Sequence, residues 1–513
     1  MNRCQLDHLF SAACALLFAC AASACLDADE QPPEPPPPDE PLACAGGDDF
    51  LGVDVTGMWH LETVFADSIG SGVTTLRIDG QAGAYTALAS GREPTTMHID
   101  QSGMYLQVVT DDTAEGGSLR TRTYHICALT ADGTAMGTYE FCRDEDCFPA
   151  TLSGRKLVAL GEPVADGLTL IGEYNGENDS WRAESLTVNV RVRGDMAYMA
   201  RRFDGLRVVD IADRSNPVER GHSPVAVAGA EHYNDVKVVA GPDGSLYALM
   251  ASNVRGVVVI DVTDPVAPAE ITSFPPAALA PEGVPAVHTL FVDGDRAYVS
   301  FNYDESLRIY DISDPTAPQP LGEFRNPRLS TEPGTLHDLF VADGVAYLNY
   351  WGLGMSVVDI SEPATPVLLG EYRDYGETSS HSNWVTQVGG RTISVHGDEQ
   401  YNAHVRIVDV DPQSGEFLTT LGSYQTRSEV SVHNILARGA RAYVTYYQDG
   451  LRVLDLSDPY SPQEVAHYHT WPGLQEGYGE SFYEGAIGID HDPATGTIYL
   501  ADTHRGLLIL TED

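Results

Sequence analysis

Apolar and polar positions repeat along this chain in blocks of four short runs. Residues 336–372 show one block, LHDLFVADGVAYLNYWGLGMSVVDISEPATPVLLGEY. Its runs HDLFV, AYLNY, MSVVDI and VLLGEY are rich in Val, Leu, Ile and Tyr. A tight turn, a variable loop and an acidic turn closing on Pro separate them, which is the grammar of short antiparallel strands. From about residue 166 the block recurs roughly every 50 residues, the period of propeller blades built from four strands each. Its third strand ends in Asp at Asp210, Asp261, Asp311, Asp359, Asp409 and Asp455, and RGLLILTED supplies a seventh copy with Thr511 in that place. The seventh copy stops after its third strand. LTLIGEY, Leu168–Tyr174, stands before the first full block and matches the fourth strands of the others. Pairing it with the last block closes a ring and removes an open edge. The fold class predicted is all-β: a seven-bladed β-propeller over 166–513, closed by an N-terminal strand.

Residues 44–165 also alternate in short runs, TTLRID, MYLQVVT and RTRTYHICAL among them, without an amphipathic helix period. VTGMWHLE and LSGRKL in this stretch resemble the ends of a lipocalin-type β-barrel. That likeness implies that Trp59 closes one end, with Arg155 stacked on it. A small barrel of this kind either holds an apolar ligand or is filled by its own side chains.

The N-terminus MNRCQLDHLFSAACALLFACAASAC carries one Arg, an apolar stretch and small residues before a cysteine, the pattern of a secretory signal over 1–24. ASAC resembles a bacterial lipobox, which makes Cys25 the lipidated first residue; Cys20 competes, and an ordinary cleaved signal is the alternative. The acidic Pro-rich run 25–43 then reads as an extended tether. Of the cysteines that remain, Cys44, Cys127, Cys142 and Cys147, an even number in an exported chain favours two disulfides. The pairing expected is Cys142 with Cys147 and Cys44 with Cys127. Localisation follows: an exported lipoprotein of the bacterial cell envelope, at the outer membrane or cell surface, touching the membrane through its lipid alone. With 74 acidic against 30 basic residues and a net charge of −44, the chain repels phosphate backbones, so nucleic acid is not expected as a partner. Lysine occurs only at Lys156 and Lys237.

The strands RVVDI, SVVDI and RIVDV resemble those of LVIVD-repeat proteins and related choice-of-anchor bacterial surface proteins. The resemblance implies a secreted or anchored propeller and no defined reaction. The Asp-Pro turns read as construction, because Asp caps its own turn and Pro fixes the backbone that follows.

Candidate chemistry gathers at the entry of the innermost strands. His288, His337 and His433 each stand nine residues before the Ala of an Ala-Tyr pair; His381 has a similar entry, His232 sits two places early, Glu484 takes the place in the last blade and Val188 in the first. Such a ring could bind a divalent cation through His288, His337, His381, His433 and Glu484. It is reminiscent of calcium-dependent propeller lactonases, whose motifs are not matched. The competing reading is that a histidine repeated in most blades builds the blade. A rim of non-repeating residues is a second candidate: Arg202, Tyr303, Asp304, Trp351, Asp398, Glu399, Tyr447, Trp471, Tyr483 and His504. Its aromatics suit a protein or carbohydrate partner, or pack the loops onto the blades. The chain has no Gly-x-Ser-x-Gly elbow, phosphate-binding Gly-Lys-Ser/Thr loop or His-Glu-x-x-His pair. The function expected is therefore a monomeric, envelope-anchored binding or scaffolding protein, with a metal-dependent hydrolase or lactonase working in the central channel as the alternative.

Overall fold

A computed structural model describes residues 54–513, apart from 66–69, 82–83, 101–102, 114–116, 131–132, 162–163, 177–185, 228–229, 281–283, 375–378 and 474–477. The signal, Cys25, the tether and Cys44 lie outside the described residues. Two compact units are present, one holding 54–158 with Gly473–Phe482 and the other 159–472 with 483–513.

The smaller unit is one antiparallel sheet of β1 (Gly57–Phe65), β2 (Ser71–Gln81), β3 (Ala84–Ala89), β4 (Thr96–Asp100), β5 (Gly103–Asp111), β6 (Leu119–Leu129), β7 (Thr134–Arg143) and β8 (Asp146–Leu157). The order β3-β2-β1-β8-β7-β6-β5-β4 is an up-and-down meander in which β1 pairs with β8, and its two edges fall at β3 and β4. The sheet is thus a half-barrel. Alternate residues, Trp59 and Leu61, Leu76 and Ile78, Met104, Leu106 and Val108, Tyr124 and Ile126, fill one face and pack on one another. Trp59 is buried and its indole N–H donates to the Val55 carbonyl at 3.0 Å. Its cationic neighbour is Lys156, with Nζ 5.8 Å from the ring, and not Arg155. Strand pairing explains the correction: Lys156 lies directly opposite Trp59, whereas Arg155 lies opposite His60 and its side chain is exposed. Cys142 and Cys147 are bonded across the β7–β8 hairpin, and Cys127 is disulfide-bonded as well.

The larger unit is a seven-bladed propeller, and its blades, each an antiparallel sheet, begin at Thr187, Tyr233, Val287, Thr335, Ser380, Ile435 and Ala486. The strand Leu168–Tyr174 pairs with Gly506–Glu512 as the outer strand of blade 7, so the ring closes as the truncated last repeat requires. Ala165–Asp166 adds a fifth strand to blade 6, beside His467 and Tyr468.

The repeated Asp has the role that its chemistry predicts. The Asp210, Asp261, Asp311, Asp359, Asp409 and Asp455 carboxylates each accept the backbone N–H two residues on, at 2.8–3.1 Å. Asp213, Asp264, Asp314, Asp411 and Asp458 repeat the device inside the turn. The repeat's Gly has a different role. In each blade the fourth strand bulges beside one position, occupied by Gly221, Thr272, Gly322, Gly370, Gly422, Ala466 and Gly172 in blades 1 to 7. A Cβ at Gly322 would lie 1.7 Å from the Pro363 carbonyl oxygen of the next blade's acidic turn. Gly221 faces Pro265, Gly422 faces Pro459, and Gly172 faces Arg214 in the same way. The motif therefore encodes how neighbouring blades dock, because the turn of one seats on the bare backbone of the next.

Candidate functional site

Each innermost strand enters the ladder through a bulge. The register skips Val188 in blade 1, Asn234 in blade 2, His288 and Thr289 in blade 3, His337 in blade 4, His381 in blade 5 and Ile487 in blade 7. In blade 6 the ladder starts at Ile435, just past His433. A bulged residue is released from strand alternation and re-aimed. These eight side chains, two from blade 3 and one from each other blade, line one cavity of about 100 Å³. The sequence placed His232 and Glu484 in this ring, and the structure corrects both. The blade 2 position is Asn234, while His232 packs edge-on against Phe203 at 5.7 Å. In blade 7 the ladder begins at Ala486, so the bulge falls on Ile487, and Glu484 is buried away from the cavity lining.

Four imidazoles stand in a row around one arc of the ring. Their centroids are 4.1 Å apart for His288 and His337, 4.3 Å for His337 and His381, and 4.4 Å for His381 and His433. The ends of the row are hydrogen-bonded. Asn234 Nδ2 lies 3.2 Å from His288 Nδ1, and His433 Nδ1 lies 2.7 Å from the Ile487 carbonyl oxygen. A carbonyl only accepts, so His433 carries its proton on Nδ1 and turns a lone pair outward on Nε2. The two central residues differ: His337 is 5% and His381 2% exposed, and Nδ1 of each is buried without a hydrogen-bond partner among the described residues. Unpaired buried polar atoms are uncommon and ask for a reason.

The carboxylate beside these rings is Glu399. One ligand atom from each of His337, His381 and Glu399 fits within 4.8 Å of the others. Glu399 Oε2 is 3.5 Å from His381 Nε2, and Oε1 is 3.9 Å from His433 Nε2 and accepts the Tyr447 hydroxyl proton. Burial pushes His288 down to about 4 and His433 down to about 3, and holds His337 and His381 well below the usual imidazole value. The same burial pushes Glu399 up to about 8. The cluster is a set of neutral imidazoles around a carboxyl that has lost its water.

Beneath the row lies a charged layer. Lys237 Nζ donates to Asp235 at 2.5 Å, and Asn189 Nδ2 donates to the same carboxylate at 2.6 Å. Thr289 Oγ1 bridges Asp235 at 2.9 Å and Asp338 at 3.2 Å. Burial lowers Lys237 to about 8; burial and the Asp235 charge raise Asp338 to about 7. Lys237 and Arg191 overcome burial to keep Asp235 low. Below this layer the rings of Phe291, Phe340 and Trp384 meet at 4.8–6.3 Å. The cavity therefore runs from imidazole through ion pairs to an aromatic floor.

The expected rim divides. Asp398, Glu399, Tyr447 and Trp471 are buried; Asp398 is tied to Arg406 at 2.6 Å and to the His404 backbone N–H. Asp304 is held by Arg308, and His504 shares a hydrogen bond with Thr503. Trp351 lies 5.6 Å from His337, Tyr483 lies 5.5 Å from Tyr447, and Arg202 lines the histidine cavity. Tyr303 stands out at 47% exposed. Of the buried four, Glu399 and Tyr447 lie with the histidines. Glu399 sits in HGDEQYNAH, a stretch rich in metal-capable residues whose spacing fits no local zinc motif. Its partners come from other strands, so spacing along the chain carried no signal.

A family model described as LVIVD repeat matches residues 186–223, 286–325, 333–374 and 431–470, which are blades 1, 3, 4 and 6. No curated protein matches the chain. Among solved structures it is similar to the computationally designed Ika8 protein, at 10% identity and a TM-score of 0.42, over 66% of this chain and 98% of that one.

Proposed function

We propose that this chain, an LVIVD-repeat β-propeller, is a binding protein whose site is the histidine-lined end of its central channel. One observation carries the reading: His337, His381 and Glu399, all buried, each bring a ligand atom within 4.8 Å of the others at the cavity. The cavity, at about 100 Å³, has room for an ion or a ligand of a few heavy atoms and falls below the roughly 300–1,000 Å³ of ordinary small-molecule sites. Binding therefore stands ahead of the hydrolase alternative. The N-terminal leader and the ASAC stretch support export and lipidation at Cys25, which would hold the propeller at the envelope through its Pro-rich tether.

The test is native mass spectrometry of full-length protein isolated from its own envelope fraction. A small bound species, released on denaturation and missing from a folded His337→Ala, His381→Ala double variant, is expected. An empty wild-type chain overturns the reading. Labelling with a fatty-acid analogue, lost in Cys25→Ala, tests the anchor separately.

A further inference from the structure

The chemistry of the donors at this end of the channel narrows the ligand. Two imidazoles and one carboxylate, each brought by a different strand or loop, converge within ligand distance. Hard cations such as Ca²⁺ take six to eight oxygens, and Mg²⁺ keeps a shell of oxygen and water. A nitrogen-rich set suits zinc, copper, nickel or cobalt, and imidazole binds such ions through a neutral ring nitrogen. Resting on the binding reading above, we propose that His337, His381 and Glu399 hold one divalent transition-metal ion, with His433 placed to supply the fourth ligand.

Three further observations support the assignment. The His433 Nδ1–H···O=C bond to Ile487 is the kind of contact that fixes a ligating histidine's tautomer and leaves Nε2 free for metal. The Tyr447 hydroxyl donates to one Glu399 oxygen, which orients the carboxylate and leaves the other oxygen toward His381. His288 falls outside the set, because the Asn234 amide occupies its Nδ1. The row of four is thus sorted by hydrogen bonding into a pair of ligands, an adjacent fourth donor and a bystander. The rest of the ring is Val188, Asn234 and Ile487, which cannot ligate such an ion well, so the site is confined to blades 4 to 6.

The experiment uses the full-length protein, stripped with a chelator and dialysed against Zn²⁺, Co²⁺ or Ca²⁺ separately. Metal content is then read by elemental analysis and Co²⁺ coordination by absorption. One equivalent of Zn²⁺ or Co²⁺ retained, with the intense visible bands of a low-coordinate cobalt site and no Ca²⁺ retained, is expected. His337→Ala, His381→Ala and Glu399→Gln should each weaken Co²⁺ binding at least tenfold, whereas His288→Gln should leave it within about twofold. Urea unfolding of each stripped variant separates lost ligands from lost fold. If Glu399→Gln misfolds, Glu399→Asp serves in its place: withdrawing the carboxylate by one methylene should change the cobalt spectrum, and an unchanged spectrum removes Glu399 from the ligand set. Wild-type protein that retains no transition metal, or binding equally weakened by His288→Gln, overturns the assignment. If no metal is retained but another small species is released in the native experiment, the metal assignment alone fails; if neither is found, the binding reading fails with it.

Discussion

Gly322→Ala is the sharpest test of how the blades are joined. The substitution adds one methyl group to an outer strand, a place where Ala is ordinarily harmless. Here the new Cβ would lie 1.7 Å from the Pro363 carbonyl oxygen and 2.6 Å from its carbon. Real Cβ contacts essentially never fall under 3.0 Å, so the acidic turn of blade 4 must retreat by about 1.3 Å. Both clashing atoms are backbone and no rotamer relieves them. Overpacking of this kind costs about 1–3 kcal/mol in cores, and a rigid turn at a blade interface belongs at the upper end, about 3 kcal/mol. Urea unfolding followed by the fluorescence of Trp351 and Trp384, which sit in blades 4 and 5, measures it. Gly294→Ala is the control: its φ is +56° with nothing within 4 Å, so it carries only the left-handed backbone penalty of about 1 kcal/mol. Thr272→Ala is a second control, since blade 2 already bears a side chain at this position. A Gly322→Ala midpoint matching wild type, or no lower than that of Gly294→Ala, would refute the docking argument.

Closing the ring should be worth as much as a core contact: Leu168 is buried among Ile498, Leu500, Leu508 and Leu510, so Leu168→Ala is expected to cost about 2–4 kcal/mol by urea unfolding. His396 is fully buried, and burial pushes its pKa down to about 3, well below the usual imidazole value of about 6.5. Its stabilising contribution is complete above about pH 6.5 and is lost as pH falls from there toward 3, by up to about 1.4 kcal/mol per pH unit. His396→Gln should make the pH dependence of unfolding between pH 6 and 4 shallower by about one proton. Replacing both Cys142 and Cys147 by Ser opens the short loop across the β7–β8 hairpin, with about 2 kcal/mol expected from chain entropy; that loss should appear in the transition reported by Trp59 and not in that reported by Trp384.

What the sequence made legible was whatever recurs. The aspartates that end third strands, the blade count and the return of Leu168–Tyr174 to the last blade all follow from copies that can be laid over one another. Residues that break the copies were harder to place. Glu484 and His232 were placed by likeness to the other strand entries, and no Ala-Tyr pair was there to count from: blades 2 and 7 carry Leu246-Tyr247 and Ile498-Tyr499, behind longer hairpin turns. Glu399 was visible as one of the non-repeating rim residues but not as a neighbour of His337, which lies in another blade. Asp235 and Lys237 stand two apart on one strand and so share a face, a spacing that the chain displays, whereas Thr289 and Asp338, which the next two blades bring to the same carboxylate layer, have no signature along it. In the half-barrel, Trp59 was found, but its cationic partner was missed by one residue, enough to move a side chain to the opposite face of the strand.

The strand that closes the propeller has a further consequence, in the order of events during synthesis. Thr169 bonds to Asp513, 344 residues later. As the chain emerges, the sticky edge at Leu168–Tyr174 is made before any blade and is the last to find its partner. Throughout that interval it is an unsatisfied β-edge attached to a growing stack of sheets, open to pairing with a second molecule. Ring closure is therefore the most non-local step of assembly, and a ribosome that releases the C-terminus late holds the propeller as an open lockwasher until the end. Exchange of this strand between two chains is the dimer that crowded, interrupted synthesis should produce.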